Sequence, residues 1–191
     1  MRVIAGRLKG RRLKTPTWDG LRPTSDKLRE TLFNIIAPRI AGARVLDGYA
    51  GTGAIGIEAL SRGAAHVTFV EHDRRAVRLI AENLAACAVE ADYTIEAGDT
   101  AAVLRRRAPP FDIIWLDPPY DMAIVRDALE AAAGALSPGG LVVLERATRR
   151  DPDVPPALRR TRDVISGDSA LTFFAPAGDA ACDDAPQPPS L

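Results

Sequence analysis

Four consecutive residues, Asp117-Pro118-Pro119-Tyr120, follow the apolar run Ile113-Ile114-Trp115-Leu116 and combine groups suited to chemistry on a planar amine. The two prolines fix an extended turn without amide donors, so the Asp117 carboxylate and the Pro118 carbonyl can both face outward as acceptors. Tyr120 adds a flat aromatic surface. The set fits a nucleobase with an exocyclic amine: two acceptors for its two hydrogens, and a ring on which the base can stack. Such an amine delocalises its lone pair into the ring and is a poor nucleophile, and the acceptors would draw charge onto the nitrogen as it attacks. Asp117, Pro118, Pro119 and Tyr120 are the candidate catalytic residues. The competing reading makes Pro-Pro an ordinary strand stop and Asp117 the cap of the next helix.

A second constellation begins at Asp47-Gly48-Tyr49-Ala50-Gly51-Thr52-Gly53-Ala54-Ile55-Gly56, where Gly51, Gly53 and Gly56 match G-x-G-x-x-G directly after a short apolar run. Glycines there permit a tight strand-to-helix turn and let a ligand approach the backbone at the helix N-terminus. The next apolar run ends in Val70-Glu71, an acid placed to accept from the two hydroxyls of a ribose. A third leads into Gly98-Asp99, where Asp99 could meet an adenine or cap the helix that follows. The candidate cofactor-binding residues are Asp47, Ala50, Gly51, Thr52, Gly53, Glu71 and Asp99. A loop and acid of this kind serve nicotinamide dinucleotides and S-adenosylmethionine (SAM) alike. Asp117 to Tyr120 favours SAM, since nothing in that tetrapeptide suits hydride transfer. Most of the rate would then come from holding nitrogen, methyl carbon and sulfonium sulfur in line.

The elements that position these groups follow from the periodicity. From Arg44 short apolar runs at 45–46, 67–70, 93–95, 113–116 and 141–144 alternate with helix-length segments at 55–61, 76–86, 101–107 and 125–136. That alternation predicts an α/β domain with a parallel sheet covered by helices on both faces. Runs at 162–165 and 171–174 stand too close for a parallel crossover and predict an antiparallel hairpin at the sheet's end. Ahead of the core, residues 2–14 read as two short strands around Gly6 and Gly10. Thr24 can then cap a helix to about Ala37, with Leu28, Leu32, Phe33 and Ile36 at helical spacing and Pro38 closing it. Residues 1–40 are thus a basic hairpin and helix packed on the core, and 41–175 the catalytic domain. The Pro-, Gly- and Asp-rich 176–191 form a disordered tail.

Composition bounds the rest. A chain of 191 residues, 47% hydrophobic and 26% charged, supports one sizeable core. No apolar run reaches membrane-spanning length, and Arg2, Arg7 and Lys9 leave no room for an apolar leader, which points to a cytoplasmic protein without a membrane partner. Cys87, Cys182, His66 and His72 have no zinc-like spacing, so no metal is expected and the thiols read as unpaired. The formal net charge is zero, yet Arg2, Arg7, Lys9, Arg11, Arg12 and Lys14 all precede the first acid, Asp19. This basic arm is the footprint expected for a polyanion, whose phosphates would position the protein without choosing a nucleotide.

Taken in order, these residues resemble the RsmD family of bacterial 16S rRNA (guanine-N2)-methyltransferases over nearly all of 2–174. The resemblance is carried by Arg2-Val3-Ile4-Ala5-Gly6 with Lys9-Gly10-Arg11, by Arg22-Pro23-Thr24 with Arg29-Glu30-Thr31-Leu32-Phe33-Asn34, and by Ala50-Gly51-Thr52-Gly53. Glu58-Ala59-Leu60-Ser61-Arg62-Gly63-Ala64, Asp117-Pro118-Pro119-Tyr120 and Gly167-Asp168-Ser169-Ala170-Leu171 complete it. It implies a Rossmann-like SAM-dependent methyltransferase fold whose seven-stranded, mostly parallel sheet has an antiparallel last strand. It also implies methylation of a guanine N2 amine in 16S rRNA of the assembled or assembling small subunit; a monomer is expected. Arg22 and Thr24 would sit at the mouth of the site and, with Arg2, Arg7, Lys9, Arg11 and Arg12, contact RNA. One departure is Gly48-Tyr49, where the family usually has a bulky apolar residue followed by an aromatic, and local packing is expected to differ there. The alternatives are an adenine-N6 or cytosine-N4 methyltransferase on DNA or RNA, for which a DNA enzyme would need a separate recognition domain, and a non-catalytic rRNA-binding assembly factor. A protein-glutamine methyltransferase would typically have Asn at position 117.

Overall fold

The computed structural model describes residues 1–18, 26–106, 110–119 and 121–178, so Arg22, Thr24, Tyr120 and most of the expected tail lie outside the described residues. The order of elements is α1 (Asp26–Ile40), β1 (Arg44–Gly48), α2 (Ala54–Ser61), β2 (His66–Glu71), α3 (Arg74–Ala86), β3 (Tyr93–Ala97) and α4 (Thr100–Arg106). It continues with β4 (Phe111–Leu116), α5 (Met122–Ala135), β5 (Leu136–Ala147), β6 (Leu158–Ser166) and β7 (Ser169–Pro176).

Seven strands form one sheet in the order β3-β2-β1-β4-β5-β7-β6. The first five run parallel, and β7 lies antiparallel between β5 and β6. Alternate residues of the central strands supply two cores. Val45, Val67, Phe69, Ile113, Trp115 and Val143 face α1 and α2 residues such as Phe33 and Ile57, while Leu46, Val70, Ile114, Leu116, Val142 and Leu144 pack with Leu104, Val125 and Leu129 of α4 and α5. Both faces being buried explains why these strands read as unbroken apolar runs. The chain steps outward from β1 to β3, then returns to β4 on the other side of β1. The crevice at the carboxyl ends of β1 and β4 is where such a sheet binds ligands.

Several boundaries differ from the sequence expectation. The opening hairpin is present but short: Arg2 pairs antiparallel with Arg12, Val3 N–H donates to the Arg11 carbonyl (3.0 Å) and Leu13 N–H to the Met1 carbonyl (3.1 Å). The amides between these two short segments are drawn to α2: Ile4 and Ala5 N–H donate to the Glu58 carboxylate (2.7 and 2.9 Å), Leu8 N–H to Ser61 Oγ (2.9 Å) and Arg7 N–H to the Ser61 carbonyl (2.8 Å). Val3, Leu8 and Leu13 are buried beneath it. Gly6, at φ 80°, is tied to this docking, because a Cβ there would stand 1.9 Å from the Ser61 carbonyl oxygen. Helix α1 runs through Pro38 to Ile40, since a proline in the last turn costs only the bond to the carbonyl of exposed Asn34 while Ile40 anchors the end in the core. Leu136 opens β5 rather than closing α5, pairing with Phe111, and residues 137–140 bulge before Leu141 pairs with Ile113. The expected tail is ordered at its start: Pro176 ends β7, and 177–178 form a turn.

Candidate active site

The glycine loop is built from both ends. Ala50 N–H donates to the Val70 carbonyl (3.0 Å) and Gly53 N–H to the Ala50 carbonyl (2.7 Å), closing a turn in which Gly51 and Gly53 take φ of 55° and 75°. A side chain at either would be strained there. Gly56 has a different duty: a Cβ on it would stand 2.2 Å from the Phe69 ring, so only glycine lets α2 lie this close to β2. Gly48 is comparable, its missing Cβ leaving room for the Thr100 methyl that would otherwise be 2.8 Å away. Gly48 thus packs closely against α4, and Tyr49 beside it takes φ 61°.

Three carboxylates fix the loop and its surroundings. Glu71 accepts from Gly51 N–H through Oε2 and from Asp73 N–H through Oε1, both at 2.9 Å, and His72 Nδ1 lies 3.1 Å from Oε1. Asp47 is buried beneath the loop and accepts from Gly56 N–H at 2.8 Å. Burial pushes its carboxyl up to about 8, opposed by the Gly56 hydrogen bond and reinforced by the Glu71 charge. Asp99 is exposed and caps α4 through Ala102 N–H (2.8 Å), so the capping role is real and leaves the carboxylate at the solvent edge of the crevice. Thr52 is buried, and its carbonyl accepts from Asn83 Nδ2 (2.9 Å). The same amide bonds Lys14 N–H and carbonyl (2.7 and 3.2 Å), tying the arm to the loop.

The Asp47 geometry has a measurable consequence. The folded chain holds this proton up to about pH 8, whereas the unfolded chain releases it in the ordinary carboxylate range near about 4. The group therefore favours folding most below that range, and the contribution is lost as pH rises through the window between the two values. Asp47→Asn keeps an oxygen for Gly56 N–H without the ionisation. The urea midpoint of the parent protein is expected to decline relative to Asp47→Asn between acid and mildly alkaline pH; parallel profiles would refute the assignment.

At the end of β4, Asp117 N–H reaches the Gly48 carbonyl at 3.4 Å, which sets the tetrapeptide beside the glycine loop. Pro118 is buried and Pro119 exposed. Asp121, not Asp117, caps α5, its side chain accepting from Ala123 N–H at 2.9 Å and its own N–H donating to the Pro119 carbonyl at 2.7 Å. The Asp117 carboxyl is thereby released from the capping role that the sequence left open. Its pKa is raised well above the ordinary value by burial first, then by the charges of Glu145 and Asp47. Glu145, two residues before the end of β5, was not foreseen from the sequence. Its signal was the one that marked Glu71 and Asp117: an acid directly after an apolar strand run. Pro118 and Glu145 line a cleft with Met122, Val125, Leu144 and Arg150, of about 280 Å³ including the part open to solvent.

Of the basic arm, Arg2, Arg7, Lys9, Arg11 and Arg12 are all exposed, on the surface of a segment whose apolar residues are buried. Lys14 pairs with Glu82 at 2.8 Å. Among the described residues, no helix is long and apolar enough to cross a membrane, and no three His, Cys, Asp or Glu side chains gather as a metal site.

Comparison with known proteins places this geometry among relatives. The model of the family described as Conserved hypothetical protein 95 matches residues 1–175. Ribosomal RNA small subunit methyltransferase D of Escherichia coli is 35% identical over 184 residues, covering 91% of this chain and 89% of that protein. The protein of the same name from Haemophilus influenzae is 37% identical over 150 residues, covering 76% and 78%. Among solved structures, yhhF of Escherichia coli, described as a candidate methyltransferase, superimposes with a TM-score of 0.83 at 30% identity, over 94% of this chain and 99% of that one. The fold is the Rossmann-like fold of SAM-dependent methyltransferases, with an antiparallel last strand.

Proposed function

Because the chain belongs to the RsmD family of rRNA methyltransferases, we propose that it transfers a methyl group from SAM to the N2 amine of a guanine in 16S rRNA of the small ribosomal subunit. The observation that carries this reading is Asp117. Its backbone is tied to Gly48 just before the glycine loop, its carboxyl is not spent on capping α5, and two prolines that cannot donate follow it.

The residues present fit SAM. A carboxylate offers about four acceptor sites. Gly51 and Asp73 N–H occupy two on Glu71, and the His72 ring is exposed enough to turn away, leaving capacity for the two hydroxyls of a ribose. Ala50, Gly51, Thr52 and Gly53 would present backbone to the cofactor, Asp99 would face the adenine end, and Asp47 would act through the loop that it holds. When bound, SAM supplies a methyl carbon on a positively charged sulfur, and the carbon–sulfur bond breaks as the new carbon–nitrogen bond forms. Asp117 and the Pro118 carbonyl hold the two hydrogens of the amine, which orients its lone pair and raises its charge during attack. One of those protons must leave the methylated nitrogen, and Asp117 would be its acceptor. Pro119 and Tyr120 would support the ring of the base.

Arg2, Arg7, Lys9, Arg11 and Arg12, joined by Arg22 and Thr24 near the mouth, would meet rRNA phosphates. Docking of the arm on α2 and α3 holds these cations in one place relative to the loop. Neutralising Arg11 and Arg12 together is expected to weaken rRNA binding and to lower the slope of log affinity against log salt by about 1 to 2. An unchanged slope would return both to the solvated surface. The reaction itself is tested by incubating labelled SAM with small subunits that lack modifications: label in the rRNA supports the enzyme reading, while SAM and rRNA binding without transfer supports a non-catalytic assembly factor. Such a protein would act in the cytoplasm, as a monomer, where small subunits assemble.

A further inference from the structure

Asp117 and the Pro118 carbonyl account for any exocyclic amine, and neither distinguishes guanine from adenine or cytosine. The distinguishing atom lies beside the amine on the same edge. In guanine the ring nitrogen next to the reacting amine carries a hydrogen, whereas the corresponding nitrogens of adenine and cytosine are bare acceptors. A site for guanine therefore needs a second acceptor beside the first.

Glu145 stands in that position. Leu116 of β4 and Leu144 of β5 are register partners in a parallel pair, so Asp117 and Glu145 each follow one of these partners, on neighbouring strands spaced about 4.8 Å apart. The β5 register pairs Glu145 with Leu171, which belongs to the core on the Trp115 and Val143 face, so this acid leaves β5 on the face opposite Leu144. Glu145 is half-buried, and its residue borders Pro118 at the rim of the α5-side cleft. After burial, its charge is the next cause that raises the Asp117 pKa. Resting on the methylation reading above, we propose that Glu145 is the specificity-determining residue of the site, accepting the ring N1–H of guanine while Asp117 and Pro118 hold the N2 amine. The pair of acceptors then matches two adjacent donors on one base edge, and the same pair would oppose the bare ring nitrogen of adenine or cytosine.

The test uses reconstituted small subunits carrying either guanine or 2-aminopurine at the nucleotide that the parent protein methylates. 2-Aminopurine keeps the reacting amine but has an acceptor where guanine has N1–H. The parent protein is expected to prefer guanine by roughly 10- to 100-fold in kcat/KM. Glu145→Gln can offer its oxygen to guanine or its NH2 group to 2-aminopurine, so the preference should shrink at least about tenfold, while Glu145→Asp retains most of it. SAM affinity should be unchanged in both variants. Loss of activity on both substrates by the same factor would mark Glu145 as merely structural and overturn the proposal. If the parent protein deposits no N2-methylguanosine at all, the methylation reading falls and takes this assignment with it, an outcome distinct from an unchanged preference in an active enzyme.

Discussion

Asp117→Ala is expected to lower methyl transfer by roughly 10²- to 10⁴-fold while leaving SAM affinity unchanged. Asp117 is set at the end of β4 by its own N–H and by the two prolines behind it, and α5 is capped by Asp121, so removing the side chain should not disturb the fold. Calorimetric SAM binding and single-turnover transfer, measured on the same preparation, separate the two effects. Loss of cofactor affinity with the remaining chemistry intact would contradict the role. The pH profile adds a sign. Asp117 works as an acceptor when ionised, and burial with the nearby Glu145 and Asp47 charges raises its pKa. The acid limb of kcat/KM should therefore lie above the usual carboxylate range, with activity falling as pH drops through it. Asp117→Asn keeps an acceptor oxygen and should retain part of the activity without that limb.

Glu58→Ala is expected to cost about 3 to 5 kcal/mol of stability, a fall in Tm of roughly 10 °C. The Glu58 carboxylate is fully buried, accepts Ile4 and Ala5 N–H, and pairs with Arg62 at 2.8 Å. Truncation would strand two amides and a partly buried guanidinium. The effect should reach beyond Tm: with the arm undocked, Arg11 and Arg12 lose their fixed position, so rRNA affinity should fall while SAM affinity changes little. Thermal unfolding followed by rRNA binding below the new Tm checks both. A variant with full rRNA affinity would show that docking of the arm is not what orders its cations.

The sheet was legible because strands covered on both faces cannot hide among polar residues: the runs at 45–46, 67–70, 93–95, 113–116 and 141–144 all became strands of the expected parallel sheet. The glycine loop was legible because a tight turn at φ near 55° to 75° admits few other residues. The arm's basic character and its short hairpin were legible; its docking on α2 and α3 was not. Its partners, Glu58, Ser61 and Asn83, lie 53 to 69 residues away, and no local pattern encodes contacts of that range. Asp47 and Glu71 illustrate a related limit. Both were marked as acids at strand ends, but only the folded chain shows Asp47 turned under the loop to Gly56 and Glu71 holding Gly51. Asp121 was missed as the cap of α5 because Asp117 fits the same capping pattern a few residues earlier. Arg22, Thr24 and Tyr120 lie outside the described residues, so their roles rest on the tetrapeptide's chemistry and the family resemblance.

The most direct test of the central claim is nucleoside analysis of 16S rRNA after reaction of this protein with SAM and unmodified small subunits. The account predicts a single new nucleoside, N2-methylguanosine, formed by the parent protein and nearly absent with Asp117→Ala. A methylated adenine or cytosine in its place, or N2-methylguanosine formed equally well by Asp117→Ala, would contradict it.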